Sequence, residues 1–186
     1  MKKYIIFWTL SLALVVQSNA QQSRLNIGGG YFGQTLTYPG MVIEIESERV
    51  FSEKASLPIR LDLGFYTHER YNSGLFLDLN FGFRRYFNSG FYLEESVGFG
   101  ILETFLNSDG TFEVDPDGIV SQASSANPPD FMPSLTLGLG YDFTKTSEKR
   151  NMIWIRPKLY WQVPHKTSSQ YAAALQIGFT HTIAIK

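Results

Sequence analysis

Between Leu75 and Glu103 the chain alternates hydrophobic and polar residues with a period of two, twice over, on either side of a short break. Leu75, Leu77, Leu79, Phe81 and Phe83 fall on one face, and Asp78, Asn80, Gly82 and Arg84 on the other. After the turn residues Asn88, Ser89 and Gly90, the residues Phe91, Leu93, Val97, Phe99 and Ile101 share a face opposite Tyr92, Glu94, Ser96, Gly98 and Gly100. A period of two is that of a strand, and two such runs across so short a turn predict a β-hairpin.

The same pattern recurs on both sides of this hairpin. A first strand is predicted over Arg24 to Gly33, with Leu25, Ile27 and Tyr31 opposite Asn26, Gly28 and Gly30. Gln34 to Gly40 is expected to be a loop containing Pro39, and a second strand to run from Met41 to about Val50. The third sets Ile59, Leu61, Leu63 and Phe65 against Arg60, Asp62, Gly64 and Tyr66. Beyond the hairpin, residues 106–133 are rich in Asp, Ser, Gly and Pro, show no period, and are expected to be one long irregular loop. A sixth strand follows around Leu135 to Phe143 and a seventh around Ile153 to Trp161. In the seventh, Pro157 removes a ladder donor and predicts a bulge or a local gap in pairing. The eighth runs from Gln170 to about Ile183. Eight strands with hairpin-like connections and no helical period predict an all-β, up-and-down antiparallel barrel.

Alternation alone does not say which face points inward. The glycines do: Gly28, Gly30, Gly64, Gly82, Gly98, Gly100, Gly138, Gly140 and Gly178 all lie on the charged face. An eight-stranded barrel has room inside only for a mixture of small and large side chains, so the polar, glycine-bearing face is expected inside and the apolar face outside. An apolar face of nine to eleven residues, at ~3.3 Å each and tilted ~40°, stands roughly 25 Å tall, the height of a lipid-facing band. Aromatic residues near the strand ends fit the headgroup boundary. The runner-up is a soluble lipocalin-like carrier with an apolar interior.

The first twenty residues differ from the rest. Lys2 and Lys3, the apolar run from Tyr4 to Val16, and Ser18-Asn19-Ala20 predict a cleavable signal peptide over 1–20, leaving 21–186 as one barrel domain. With no cysteine, no disulfide framework and no lipoprotein attachment are expected. Removing Lys2 and Lys3 leaves 14 basic against 17 acidic residues, near −3, which argues against a nucleic-acid partner.

The signal ending Ser18-Asn19-Ala20, the eight amphipathic strands and the Gly178-Phe179 pair in the last strand together resemble the small eight-stranded outer-membrane proteins of the OmpA/OmpX-like superfamily, in particular the outer-membrane β-barrel domain proteins of the Bacteroidetes type. The resemblance implies a Gram-negative outer-membrane protein with periplasmic termini. It implies lipid, lipopolysaccharide and the barrel assembly machinery as partners of a transmembrane β-barrel, and the barrel is expected to be monomeric. The chain departs from that pattern in continuing past Phe179 to Ile183, Ile185 and Lys186, whereas such barrels often finish on an aromatic residue.

Three sets of residues carry candidate chemistry. Glu44, Glu46, Asp62, Asp78, Glu94 and Asp142 share the inward face with Arg60, Arg84, Arg156 and Lys158, and are expected to neutralise one another as an ion-pair plug. The alternative use of those charges is a narrow pore for small solutes. His68 and His165 fall in loops on the rim of the long segment, with Ser168, Ser169, Glu69 and Glu103 nearby, the residue types of a lipid-modifying hydrolase or acyltransferase. Their spacing singles out no nucleophile and base, so a non-enzymatic, structural or interaction role is expected, without a cofactor. Within the long loop Asp109, Asp115 and Asp117 are weak calcium candidates, since acids beside glycine are also ordinary turn chemistry. The apolar residues of that loop, Phe112, Val114, Ile119, Val120, Phe131 and Met132, must either cap the barrel mouth or remain as a contact surface for an extracellular protein or ligand.

Overall fold

The computed structural model describes residues 22–68, 72–106, 112–114, 118–122, 129–143, 151–163 and 170–185. They form ten strands: β1 (Gln22–Gln34), β2 (Tyr38–Ser52), β3 (Ala55–Thr67), β4 (Asn72–Tyr86), β5 (Phe91–Leu106), β6 (Phe112–Val114), β7 (Val120–Gln122), β8 (Asp130–Asp142), β9 (Asn151–Gln162) and β10 (Gln170–Ile185). Eight of them close in the order β1-β10-β9-β8-β5-β4-β3-β2, every neighbour antiparallel, and β6 and β7 pair separately. The fold is the expected all-β up-and-down barrel. Closure removes every free sheet edge from the wall.

Strands exceed their predicted bounds at several ends. β1 and β2 pair from Gln34↔Tyr38 onward, which leaves only residues 35–37 as a turn and takes Pro39 into the ladder opposite Gly33. Thr35 and Leu36 make that turn with positive φ (48° and 64°). The expected loop over 34–40 is therefore corrected to a tight turn: Pro39 projects outward at a strand end, where it costs the ladder little. The expectation of an aperiodic 106–133 segment is also corrected. β5 runs to Leu106, β8 begins at Asp130, and between them Phe112↔Gln122 to Val114↔Val120 form a small hairpin, with Gly118 at φ 80° on its connection.

The expected irregularity at Pro157 is present as a gap. The β8–β9 ladder holds Ser134↔Tyr160 to Thr136↔Lys158, skips Leu137 and Gly138, and resumes at Leu139↔Ile155, while Leu175↔Pro157 is kept on the β10 side. Pro157 has no N–H to give.

Inside and outside are as the glycines predict. Along the barrel strands the even-numbered residues point into the lumen and the odd-numbered ones outward, except where register shifts beside Leu25/Asn26 and Val50/Ser52 break the parity at strand ends. Outward apolar side chains such as Leu137 and Phe179 are about 60% exposed (62% and 59%), while Arg60, Arg84 and Arg156 are at most 1% exposed. Several inward glycines sit beneath a large neighbour: a Cβ on Gly178 would lie 2.6 Å from the Trp154 ring, and Gly64, Gly74 and Gly140 stand likewise under Phe76, Tyr66 and Tyr92. Small residues beside large ones fill the lumen.

Candidate functional site

The connections fall on two rims. One carries 35–37, 68–71, 107–129 and 164–169, and is called here the loop rim; the other carries 53–54, 87–90 and 143–150, the turn rim. Between them the lumen is layered. Toward the loop rim Phe32, Tyr66, Phe76, Leu102, Met132 and Tyr160 are buried together, with Phe32 4.7 Å from Phe76 and 6.0 Å from Tyr66 between ring centroids. Toward the turn rim lie Tyr86, Tyr92, Met152 and Trp154. Charges occupy the middle.

All ten predicted lumen charges are buried there, and the alternation of their strands aims them at one another. Arg84 is the hub: its Nη2 donates to Glu46 Oε2 (2.7 Å) and Glu94 Oε2 (2.6 Å), and its Nε also donates to Glu94 Oε2 (2.9 Å). Arg60 donates from Nη1 to Glu94 Oε1 (2.6 Å) and from Nε to Asp62 Oδ1 (3.0 Å). Glu44 accepts from Arg156 Nη1 and from the Thr180 hydroxyl, both at 2.5 Å. Lys158 pairs with Asp78, whose Oδ2 also accepts from Ser134 Oγ (3.0 Å) and Asn80 Nδ2 (3.1 Å). Two guanidiniums lie over rings as well, Arg84 at 4.6 Å from the Tyr92 centroid and Arg156 at 4.1 Å from Trp154. A charge taken out of water needs partners of this quality, and here most of them reach across the lumen between strands, as Arg84 of β4 does to Glu46 of β2 and Arg156 of β9 to Glu44 of β2.

Two members of the network were absent from the expected set. Arg24 donates to Asp142 Oδ2 (3.1 Å), and Glu48 accepts from Tyr86 Oη (2.5 Å) and Ser56 Oγ (2.6 Å). Parity alone would have found them, since Arg24 precedes Asn26 by two and Glu48 follows Glu46 by two. With them the described lumen holds seven carboxylates and five cations.

The rim candidates are less gathered. His68 follows β3 and sets its ring edge-on against Tyr38, 4.3 Å between centroids. Glu103 lies on the outer wall of β5 opposite Leu75. Glu69, His165, Ser168 and Ser169 lie outside the described residues, as do Asp109, Asp115 and Asp117. Among the described residues no group of three or more His, Asp or Glu is arranged to hold a metal. His181 projects outward and bonds through Nδ1 to Asn151 Oδ1 at 2.8 Å. Of the apolar loop residues, Met132 is buried in the mouth, Phe131 lies on the wall beside Val163, and Ile119 and Val120 are each 62% exposed.

No family model and no curated protein matches the chain. Solved structures do. The chain is similar to Neisserial surface protein A (7% identity, 88% of this chain and 97% of that one, TM-score 0.52). It is likewise similar to Ail, the attachment invasion locus protein of Yersinia pestis, in complex with the heparin analogue sucrose octasulfate (11% identity, 89% and 100%, TM-score 0.52). At such identities the likeness is one of fold alone, and it extends over nearly the whole of both chains.

Proposed function

We propose that the chain is an integral outer-membrane barrel whose lumen is closed and whose loop rim, above all residues 107–129, makes contact with an extracellular partner. In this reading residues 1–20 are the removed signal, both termini and the turn rim are periplasmic, and lipid surrounds the apolar wall. Lipopolysaccharide and the barrel assembly machinery are its other partners. Short periplasmic turns and longer outer loops are the usual arrangement of such barrels.

One observation carries this reading. Among the described residues the lumen is filled by side chains, with charges paired in the middle and aromatic residues packed toward each rim, and Arg84 and Phe76 are both buried. A scaffold with lipid outside and a packed interior has its rims left for recognition. On the loop rim, exposed Ile119 and Val120 supply an apolar surface instead of a lid.

The test joins two measurements. Purified protein in planar bilayers should give no single-channel steps, and intact cells should retain a partner that protease treatment of the surface releases. Discrete conductance steps would replace this reading by the pore. A role as a lipid-modifying enzyme is not favoured, and lipid deacylation or acyl transfer lost in His68→Ala or His165→Ala would establish it instead.

A further inference from the structure

The outer wall is largely apolar, with polar residues such as Arg49 on β2, Arg85 on β4, Glu103 on β5 and His181 on β10, and β5 also has a charge that interrupts an apolar run. Its outward series runs Phe91, Leu93, Glu95, Val97, Phe99, Ile101, so that Glu95 stands between apolar residues on its own strand and between Phe83 of β4 and Leu137 of β8 across it. Glu95 is exposed. Four residues from Phe91 at ~3.3 Å each, on a strand tilted ~40°, put it roughly 10 Å into the apolar band. Among the described residues no hydrogen bond or ion pair reaches its carboxylate. A carboxylate facing hydrocarbon calls for a cation.

Arg85 is the nearest one on the same face. It is exposed on β4 opposite Leu93, two positions from Phe83, which makes it the diagonal neighbour of Glu95. No ion pair joins the two within the chain. Beside them the wall is indented by a depression of about 670 Å³, bounded by Phe83, Glu95, Leu135, Leu137, Pro157 and Leu159, where the β8–β9 ladder opens.

We propose that Glu95 and Arg85 form a self-complementary contact through which two copies of the chain associate in the membrane. This rests on the lipid-facing orientation of the wall proposed above. A two-fold axis along the membrane normal, passing by the β4–β5 seam, presents the patch to itself. Arg85 of one copy then meets Glu95 of the other, twice. The same rotation sets the depression on the β8 side opposite β3, whose Leu57 and Ile59 project outward and are partly exposed. An unrelated cationic partner would need only Glu95. The presence of both signs, side by side and unpaired in the chain, points to a second copy.

The experiment uses two single variants, Glu95→Arg and Arg85→Glu, carried by differently tagged full-length chains. Each variant presents one sign only, so its own copies repel, whereas the two together restore both ion pairs. Cross-linking in native membranes should give a dimer for wild type, monomers for each variant alone, and a mixed dimer at wild-type yield when both are co-expressed. Heat-modifiable migration, scored on every sample, reports barrel folding separately. A folded barrel that sediments with the membrane but stays monomeric as wild type would overturn the dimer and leave the membrane reading intact. Undiminished dimers in either variant alone, or no mixed dimer, would overturn it too.

Discussion

Arg84 and Glu94 face each other directly across the β4–β5 hairpin, and the guanidinium Nη2 lies 2.6 Å from Oε2 while Nε donates to the same oxygen at 2.9 Å. Gly138 makes the pair possible from the far side. A Cβ there would lie 3.1 Å from Glu94 Cβ and 3.4 Å from Arg156 Cγ, so the bare backbone of β8 gives both chains their path into the lumen.

Removing one partner leaves the other buried and unpaid. Arg84→Ala should therefore destabilise the folded barrel by about 3–5 kcal/mol, because Glu46 loses its shortest donor and Glu94 loses two of its three. Arg84→Met combined with Glu94→Leu should cost less than the sum of the single changes, since no carboxylate of that pair is then stranded. Urea-induced unfolding in lipid vesicles, followed by heat-modifiable migration, measures both. Additive effects would show that the pair is not coupled.

Gly178 is held to its identity by the Gly29 carbonyl and by Trp154, whose Cζ2 would stand 2.6 Å from an added Cβ and whose Nε1 donates to Thr180 Oγ1 at 2.8 Å. The ring is fixed by that bond and by Arg156 above it. Gly178→Ala should thus overpack the lumen and cost about 1–3 kcal/mol. Tryptophan emission should shift as the indole is displaced. An unchanged spectrum together with unchanged stability would contradict the tight fit.

Pro157→Ala should restore an amide where the β8–β9 ladder now skips Leu137 and Gly138. Hydrogen exchange in micelles should then show a protected amide at position 157, and greater protection at the neighbouring amides of β8, if the missing donor is what opens the gap. Continued rapid exchange there would assign the gap to the packing of Arg156 beside Gly138 instead.

How much of this was legible in the sequence follows from what a period of two contains. Alternation plus glycine placement located all eight wall strands and told inside from outside, because parity is set residue by residue along the chain. Contact partners across the lumen are another matter. Arg24 reaches Asp142 and Arg156 reaches Glu44 only through barrel closure and strand stagger, which no local pattern encodes. Glu95 escaped notice for a different reason: it follows Glu94, and two adjacent acids look alike until parity sends one into the lumen and the other to the wall. The β6–β7 hairpin is three residues on each side, too short for its period to rise above a loop rich in Asp, Ser and Gly.

The boundaries of the long segment decide how its role is to be tested. Since β5 continues to Leu106 and β8 starts at Asp130, a deletion must stay within 108–128 to leave the ladder pairs Asn72↔Leu106 and Leu102↔Asp130 in place. Replacing those residues by a short Gly/Ser turn should spare the barrel, because the mouth beneath is closed by Phe32, Tyr66, Phe76 and Met132, none of which the deletion removes. Loop closure costs little for such a change in length. Heat-modifiable migration and the urea midpoint should therefore stay at wild-type values, while retention of the extracellular partner on whole cells should be lost. A double change of exposed Ile119 and Val120 to Ser should weaken retention without touching the fold. If the deletion variant still holds the partner, recognition belongs to the shorter connections around His68 and 164–169, and the long segment carries no specificity.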